Sequence, residues 1–132
     1  MKTIIEYINE TKKHVVNDIP KFLYHKSPPS IRNKIEKEGL KPTIGDSYKA
    51  HWEGKDIDLE PVIFAYDKEK QEYDTTWDDD IWEIDTTKLD KNNWNKDPDE
   101  YMTDEFGSLI YNKKIPRNAL KLIYKGTGKN NF

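Results

Sequence analysis

Residues 21–26 read Lys-Phe-Leu-Tyr-His-Lys, and this short apolar and aromatic run decides most of what the sequence predicts about the fold. Pro20 separates the run from the segment before it, because proline disfavours helix at the preceding residue. Pro28 and Pro29 follow the run, and a proline in the first turn is typical of a helix start. The run is therefore predicted to be a buried strand that ends at His25 and leads into a helix.

The segment after this strand is predicted to be a short helix. Ile31 and Ile35 are about one turn apart, which places both on one helix face. Gly39 then ends the helix, because glycine adopts the positive φ of a helix C-terminus without steric cost. The strand, the proline-marked start and the glycine stop together form one strand–helix unit.

Four further apolar runs are predicted to be strands, at residues 61–66, 81–85, 108–111 and 121–125. Most of these runs have no helix between them to cross over the sheet, which favours antiparallel pairing. Residues 3–17 carry isoleucines near the 3.6-residue period and are predicted to form an amphipathic helix. The pattern predicts an α+β fold with a split, mostly antiparallel β-sheet core and short helices.

The chain has 132 residues, which suits one domain, and its sixteen aromatic residues supply apolar surface for a core. We expect an N-terminal helix within residues 1–20 packed on a single domain of residues 21–126, and a flexible tail of residues 127–132. The absence of cysteine excludes thiolate metal sites and a cysteine nucleophile. No apolar run reaches membrane-spanning length and no signal peptide is visible, so we expect a cytoplasmic protein without a membrane partner.

Residues 41–60 are rich in turn formers and are predicted to be a long loop. Loops of this length are often functional. The loop carries Tyr48 and Trp52, whose rings are predicted to form a lid over a planar ligand. The alternative for both rings is a place in the core.

The three histidines, His14, His25 and His51, are far apart in sequence and form no paired-histidine motif. No metal site is therefore predicted. His25 closes an apolar strand beside a helix start, where one ring nitrogen is expected to donate a hydrogen bond and the other to accept one. The alternative is a half-buried histidine with a structural role only.

The order of motifs along the chain resembles the ADP-ribosyltransferase fold family in its small bacterial and phage form. In that family a strand ending in Tyr-His precedes a helix and a Gly-Leu-x-Pro exit, and residues 23–27 and 38–42 match this opening. Residues 62–66 resemble the second signature strand of the family, and residues 81–85 resemble the strand that follows it. Residues 107–116 resemble the final hairpin, in which a strand leads into an Ile-Pro turn.

This resemblance covers about residues 21–126 and implies a site for NAD, used as a substrate. In the family, the histidine at the position of His25 binds a ribose hydroxyl, and an aromatic residue of the second strand stacks on the nicotinamide. A late carboxylate orients the ribose and stabilises the positive charge that develops as the glycosidic bond breaks. The implied catalytic residues are His25 and Glu105, and the implied NAD-binding residues are Tyr24, His25, Lys26, Ser27, Tyr48, Trp52, Phe64 and Tyr66.

The sequence departs from the family pattern at three positions. Lys26 follows the histidine where the family usually has a small residue, and Ile63 stands where the second-strand aromatic is expected. Ser108 stands where the late carboxylate is expected, and the nearest acid in sequence is Glu105. The implied function is binding of NAD or a related nucleotide and transfer of ADP-ribose to a macromolecular target. A relative that binds a nucleotide without catalysis fits the same residues.

The charge distribution supports an alternative function. Residues 72–105 carry thirteen acidic residues and three lysines, whereas residues 106–132 carry six basic residues and no acid. An acidic surface at residues 72–105 that includes Asp78, Asp79 and Asp80 would suit a non-catalytic phage-type inhibitor, an anti-defence protein that blocks a host protein. Direct binding of nucleic acid is not expected, because the acidic segment repels polyanions, although Lys113, Lys114 and Arg117 at one turn are suited to phosphates. The alternative for both segments is a solvated surface with ion pairs between the acidic segment and the basic ends of the chain.

Overall fold

The computed structural model describes residues 2–11, 16, 18–67, 77–99, 102–104 and 107–130. It confirms the predicted α+β class, with short helices and mainly antiparallel strands. The helices are α1 (Ile4–Thr11), α2 (Arg32–Glu38) and α3 (Asp46–His51). The strands are β1 (Lys2–Thr3), β2 (Phe22–Ser27), β3 (Ile57–Asp58), β4 (Ile63–Ala65), β5 (Asp80–Asp85), β6 (Trp94–Lys96), β7 (Leu109–Tyr111) and β8 (Leu120–Tyr124).

Most of these strands form two antiparallel sheets of three strands each. The first sheet has the order β2-β5-β8 and the second the order β4-β7-β6, while β1 and β3 form a short parallel pair. The register of β2 on β5 places Leu23 opposite Ile84 and His25 opposite Trp82. Because alternate residues of a strand point to opposite faces, these four side chains share one face of the first sheet.

Among the described residues, the backbones of the two sheets are bridged at the pair Tyr24–Tyr66. Tyr24 of β2 and Tyr66, just after β4, exchange both backbone hydrogen bonds at 2.9 Å each. In a continued antiparallel ladder Lys26 would stand opposite Phe64, but the Tyr24–Tyr66 pair is isolated. The β-sheet is therefore split at this junction, close to His25.

The main hydrophobic core lies between the two sheets and α2. The first sheet contributes Leu23, Trp82 and Ile84, each fully buried, and the second contributes Ile63 and the residues around it. Trp82 is the largest fully buried side chain of the described residues, and its indole Nε1 donates to the Ser27 hydroxyl at 3.2 Å. That bond satisfies the one polar group of the ring inside the core.

A second hydrophobic cluster covers the opposite face of the second sheet. Ile4 and Ile8 of α1 are fully buried and pack with Tyr48, Trp52 and Ile110. The spacing of the two isoleucines places both on one face of α1, as the sequence pattern predicts. The predicted helix of residues 3–17 is helical over Ile4–Thr11, and residues 12–15 and 17 lie outside the described part of the chain.

The prediction of a loop at residues 41–60 is wrong, because this segment contains α3 and β3. Tyr48 and Trp52 supply the apolar surface that docks α3 against α1 in the second cluster. The strand β6 lies in a polar stretch whose sequence does not predict it. It forms because Trp94, Asn95 and Lys96 pair with β7.

The segment predicted to be a flexible tail makes contacts with the rest of the fold as far as Asn130. Two aspartate side chains bind the backbone of the tail: Asp80 accepts from Gly126 N at 2.9 Å, and Asp78 accepts from Thr127 N at 3.0 Å. Asn130 also forms a bridge with Trp77. These bonds satisfy backbone groups that a frayed tail would leave to water.

No helix of the described ranges is long and apolar enough to span a bilayer.

Candidate functional site

His25 lies at the point where the two sheets separate. Its ring nitrogen Nδ1 is 2.7 Å from the carbonyl oxygen of Phe64 on β4. Because a carbonyl oxygen only accepts, Nδ1 carries the proton and donates it to this bond. The imidazole therefore connects β2 to β4 where the backbone ladder does not continue.

The surroundings of His25 keep its ring uncharged at neutral pH. Burial lowers the pKa of His25 below its ordinary value of 6.5, although the bond to the Phe64 carbonyl opposes this shift. A neutral imidazole with its proton on Nδ1 presents the lone pair of Nε2 as a hydrogen-bond acceptor. The structure thus gives His25 one donor that is used inside the protein and one acceptor suited to a hydroxyl group.

A row of residues leads from His25 across the second sheet. In the register of the Tyr24–Tyr66 pair, His25 of β2 lies beside Ala65 of β4. Ala65 pairs with Leu109 of β7, and Leu109 pairs with Lys96 of β6. Residues level with each other on neighbouring strands point to the same face. His25 therefore shares the core face of the sheet with Leu109 and Lys96, two and three strands away.

A cavity of about 480 Å³ opens on this face, and both Leu109 and Lys96 line it. Its volume lies in the range of small-molecule sites. The charged residues of the described lining are three acids, Asp18, Asp67 and Asp104, and one lysine, Lys96. This arrangement favours a ligand group that carries positive charge over one that carries only phosphates.

The opposite face of the sheet junction carries two tyrosines. The rings of Tyr24 and Tyr66 have their centroids 6.1 Å apart, and the Tyr24 hydroxyl donates to Glu83 Oε2 at 3.2 Å. Burial, together with the charge and hydrogen bond of Glu83, raises the pKa of the Tyr24 phenol. Both rings are half-buried, and neither tyrosine is among the described residues that line the cavity.

Ser108 stands where the family pattern has a carboxylate, and the side chain of Asp97, from another segment, lies next to it. Asp97, just after β6, accepts a hydrogen bond from the Ser108 hydroxyl at 2.8 Å and another from Asp99 N at 2.9 Å. Its side chain is on the face away from His25, because Ser108 stands level with Tyr66. The Asp-Pro-Asp turn at residues 97–99 was the sequence signal for this bend.

Replacement of Asp97 by asparagine is expected to change the free energy of unfolding by less than about 1 kcal/mol at neutral pH, because the amide still accepts from Asp99 N. Burial raises the pKa of Asp97 above 3.8, so the native state binds this proton more tightly than the unfolded chain does. Asp97 therefore contributes more to the free energy of unfolding as the pH falls toward its raised pKa. The asparagine variant has no group to protonate there, so it does not gain this contribution. Urea unfolding of both proteins at about pH 7 and about pH 5 checks the sign; a larger gain in the variant on acidification would contradict it.

The structure places the remaining predicted site residues apart from His25. Tyr48 and Trp52 are 7% and 8% exposed in the second cluster, so their position does not fit the predicted lid. The Phe64 ring packs edge-on against Tyr48, with centroids 5.3 Å apart, and only its carbonyl meets His25. Burial raises the pKa of the Tyr48 phenol to about 12, and its hydroxyl donates to Glu60 O at 3.0 Å.

The neighbours of His25 on β2 have separate positions. Ser27 is buried and bound to Trp82, so its hydroxyl is used within the core. Lys26 is half-buried and points to the face of Tyr24, away from His25. Glu105 lies outside the described residues, and among the described acids Asp104 is its neighbour in sequence and lines the cavity.

The acidic segment of residues 72–105 does not form one continuous exposed surface over its described part. Asp80 and Asp97 are buried, and Asp78 holds the tail by accepting from the Tyr124 hydroxyl and from Thr127. Charge reversal at residues 78–80 would therefore disrupt the fold as well as any surface. No group of three or more metal-ligating side chains is present among the described residues.

Comparison with known proteins gives no relative: no family model matches the chain, and neither a curated protein nor a solved structure matches it.

Proposed function

We propose that this chain is an ADP-ribosyltransferase-like domain that binds NAD or a related nucleotide at His25. The observation that carries the proposal is the hydrogen bond from His25 Nδ1 to the Phe64 carbonyl, 2.7 Å long, at the split between the sheets. It fixes the ring with Nε2 left as the acceptor. His25 does not itself line the cavity, but it shares a face of the sheet with Leu109 and Lys96, which do. The ordered motifs of residues 21–126 support the same proposal, because by their resemblance His25 stands at the position that binds ribose in the ADP-ribosyltransferase family.

The proposed role of His25 is to hold the ribose next to the nicotinamide. A ribose hydroxyl donates to the neutral Nε2, while the bond to Phe64 keeps the imidazole plane in place. A fixed acceptor lowers the entropy lost on binding, because the ring is already oriented. The lowered pKa of His25 serves this role, since a protonated ring has no free acceptor.

The acids that line the cavity suit the cationic half of NAD. The nicotinamide ring carries positive charge, and further positive charge develops on the ribose as the glycosidic bond breaks. Asp67 and Asp104 are the proposed source of the field that stabilises this charge, with Glu105 next in sequence to Asp104. Lys96 is the one basic side chain of the described lining and is assigned to the phosphates.

Titration calorimetry with NAD tests the proposal. We expect His25→Asn to weaken NAD binding about tenfold, since its amide keeps the donor to the Phe64 carbonyl and removes only the Nε2 acceptor. We expect His25→Ala to weaken binding at least as much and also to lower stability, because it leaves the Phe64 carbonyl without this donor. Adenosine diphosphate ribose, titrated in parallel, separates the contribution of the nicotinamide.

The matched control is His51→Asn, a change of the same kind at a histidine whose side chain is 42% exposed on α3. We expect this variant to bind NAD as the original protein does. The absence of heat with NAD, adenosine diphosphate ribose and simple nucleotides would show that the proposed function is wrong. Equal losses in the His25→Asn and His51→Asn variants would show that His25 has no special role.

A further inference from the structure

A backbone bridge brings two basic segments of the chain together. Leu40 and Ile115 exchange both backbone hydrogen bonds, at 3.0 and 2.9 Å. In this antiparallel bridge Lys41 stands opposite Lys114. The pairing thus juxtaposes two like charges that the sequence separates by more than seventy residues.

The bridge brings Lys41 and Lys114 near each other, and like charges in proximity repel. Both lysines are exposed, as are Lys37 at the end of α2 and Lys113 beside Lys114. We define Lys37, Lys41, Lys113 and Lys114 as the basic ridge. The ridge is a local concentration of positive charge on a chain whose net charge is −3.

Few acids neutralise the ridge. Lys41 Nζ lies 3.6 Å from Glu38 Oε1, an exposed pair on the same turn. Within the described ranges, Lys37, Lys113 and Lys114 have no ion pair with a carboxylate. The predicted pairing of the basic C-terminal segment with the acidic segment is thus not made by these lysines, and their charge faces solvent.

We propose that the basic ridge binds the phosphate backbone of a double-stranded nucleic acid. Lysine ammonium groups bind phosphate as point charges, and exposed lysines with few neutralising acids complement the charge of a phosphate backbone. Arg117, the arginine next to the ridge, is already bound to Glu36 Oε2 at 2.9 Å and to the Leu120 carbonyl. The cations that the ridge offers to a ligand are therefore its lysines.

The surroundings of the ridge favour a duplex over a single strand. Binding of single strands uses aromatic side chains on which bases stack. Among the described residues the exposed aromatic side chains are Phe22, Trp77 and Tyr124, and they belong to β2 and to the region of the tail. Contacts to phosphates alone carry no sequence information, so the proposed binding is independent of base sequence. This surface does not depend on the proposed NAD site.

Fluorescence anisotropy with a labelled DNA duplex of about 20 base pairs tests this inference, using the full chain. We expect a Kd of roughly 10⁻⁴ to 10⁻⁶ M at physiological salt, and binding about tenfold or more tighter at 50 mM salt than at 200 mM, because phosphate contacts release counterions. The double variant Lys113→Glu/Lys114→Glu is expected to weaken binding at 50 mM salt at least about tenfold. It is also expected to reduce the slope of log Kd against log salt by about two.

The matched control is Lys49→Glu/Lys55→Glu, which changes the net charge equally at exposed lysines in and after α3. We expect it to retain duplex binding within about twofold, since α3 covers the other face of the second sheet. No binding at 50 mM salt, or an equal loss in the control, would overturn the proposal. Competition by polyglutamate as strong as by unlabelled duplex at equal charge would overturn it in favour of an acidic protein partner.

Discussion

Replacement of Arg32 by methionine is expected to destabilise the protein strongly, because it leaves a buried carboxylate without its partner. Asp80 has no exposed surface, and its two oxygens accept from the guanidinium Nε and Nη2 at 2.8 and 2.7 Å. Gly126 N supplies the remaining bond, which does not neutralise the charge. An uncompensated buried charge costs about 3–5 kcal/mol, and we expect the free energy of unfolding at neutral pH to fall by that amount.

The stability difference between the Arg32→Met variant and the original protein is expected to change with pH, whereas a loss of packing alone would leave it constant. Burial by itself would raise the pKa of Asp80, but the hydrogen bonds from Arg32 and Gly126 outweigh it and hold the pKa below 3.8. In the original protein the contribution of Asp80 is therefore present above about pH 4 and is lost as the pH falls below 3.8. Without the guanidinium, burial dominates and the pKa rises, so the variant becomes relatively more stable as the pH falls.

Urea unfolding at about pH 7 and about pH 4.5 measures the free energies of unfolding of the original protein and the Arg32→Met variant. The difference between these two free energies should be smaller at the lower pH. Glu36→Gln is the matched control, since it removes an ion pair with Arg117 whose side chains are 41% and 43% exposed. Exposed pairs contribute about 0–1 kcal/mol, so the control should lose little. A gap that stayed constant with pH would mean that Asp80 does not behave as a buried charge.

Replacement of Gly39 by alanine is expected to have an effect of similar size through the backbone. Gly39 ends α2 with φ of 78° and ψ of −170°, a region that residues other than glycine rarely adopt. A Cβ atom there would lie 2.4 Å from the Ile115 carbonyl oxygen, which accepts from Leu40 N in the bridge. Strain of about 1–3 kcal/mol and overpacking of about 1–3 kcal/mol add to an expected loss of about 3–5 kcal/mol.

Gly54→Ala separates these two contributions. Gly54 has the same φ of 78°, and its Cβ would have no heavy atom within 4 Å apart from its chain neighbours. The control is therefore expected to lose only the backbone strain, about 1–2 kcal/mol. Thermal and urea unfolding of both variants give the comparison; equal losses would show that contact with residues 115–117 does not limit this position.

The strands that the sequence predicts are those with a strong local pattern. Residues 21–26, 81–85 and 121–125 correspond to β2, β5 and β8, which form the first sheet. The stop of α2 at Gly39 was likewise predictable, because only glycine fits its φ and ψ. In contrast, β6 has three residues in a polar segment, and such a short strand exists only through its pairing with β7.

The candidate site divides in the same way. The sequence identifies His25 as the end of a buried strand, but it does not specify which atom its ring contacts; the split between the sheets brings in the Phe64 carbonyl. Tyr48 and Trp52 looked like residues of a loop lid, and only the docking of α1 shows that their rings are core. A large aromatic residue looks the same in the sequence whether it belongs to a lid or to the core, and only its burial in the structure distinguishes the two roles.

The sequence by itself determined the α+β class, the order of the main strands and the position of His25, because these depend on local periodicity and on proline and glycine. Only the tertiary structure decided which charged side chains are buried in ion pairs and which lie together on the surface. Within one acidic run it buries Asp80 against Arg32, and it places Lys41 opposite Lys114 across a bridge. The physical reason is that the energy of a charge depends on its burial and on its partners in space, and register between distant segments sets both.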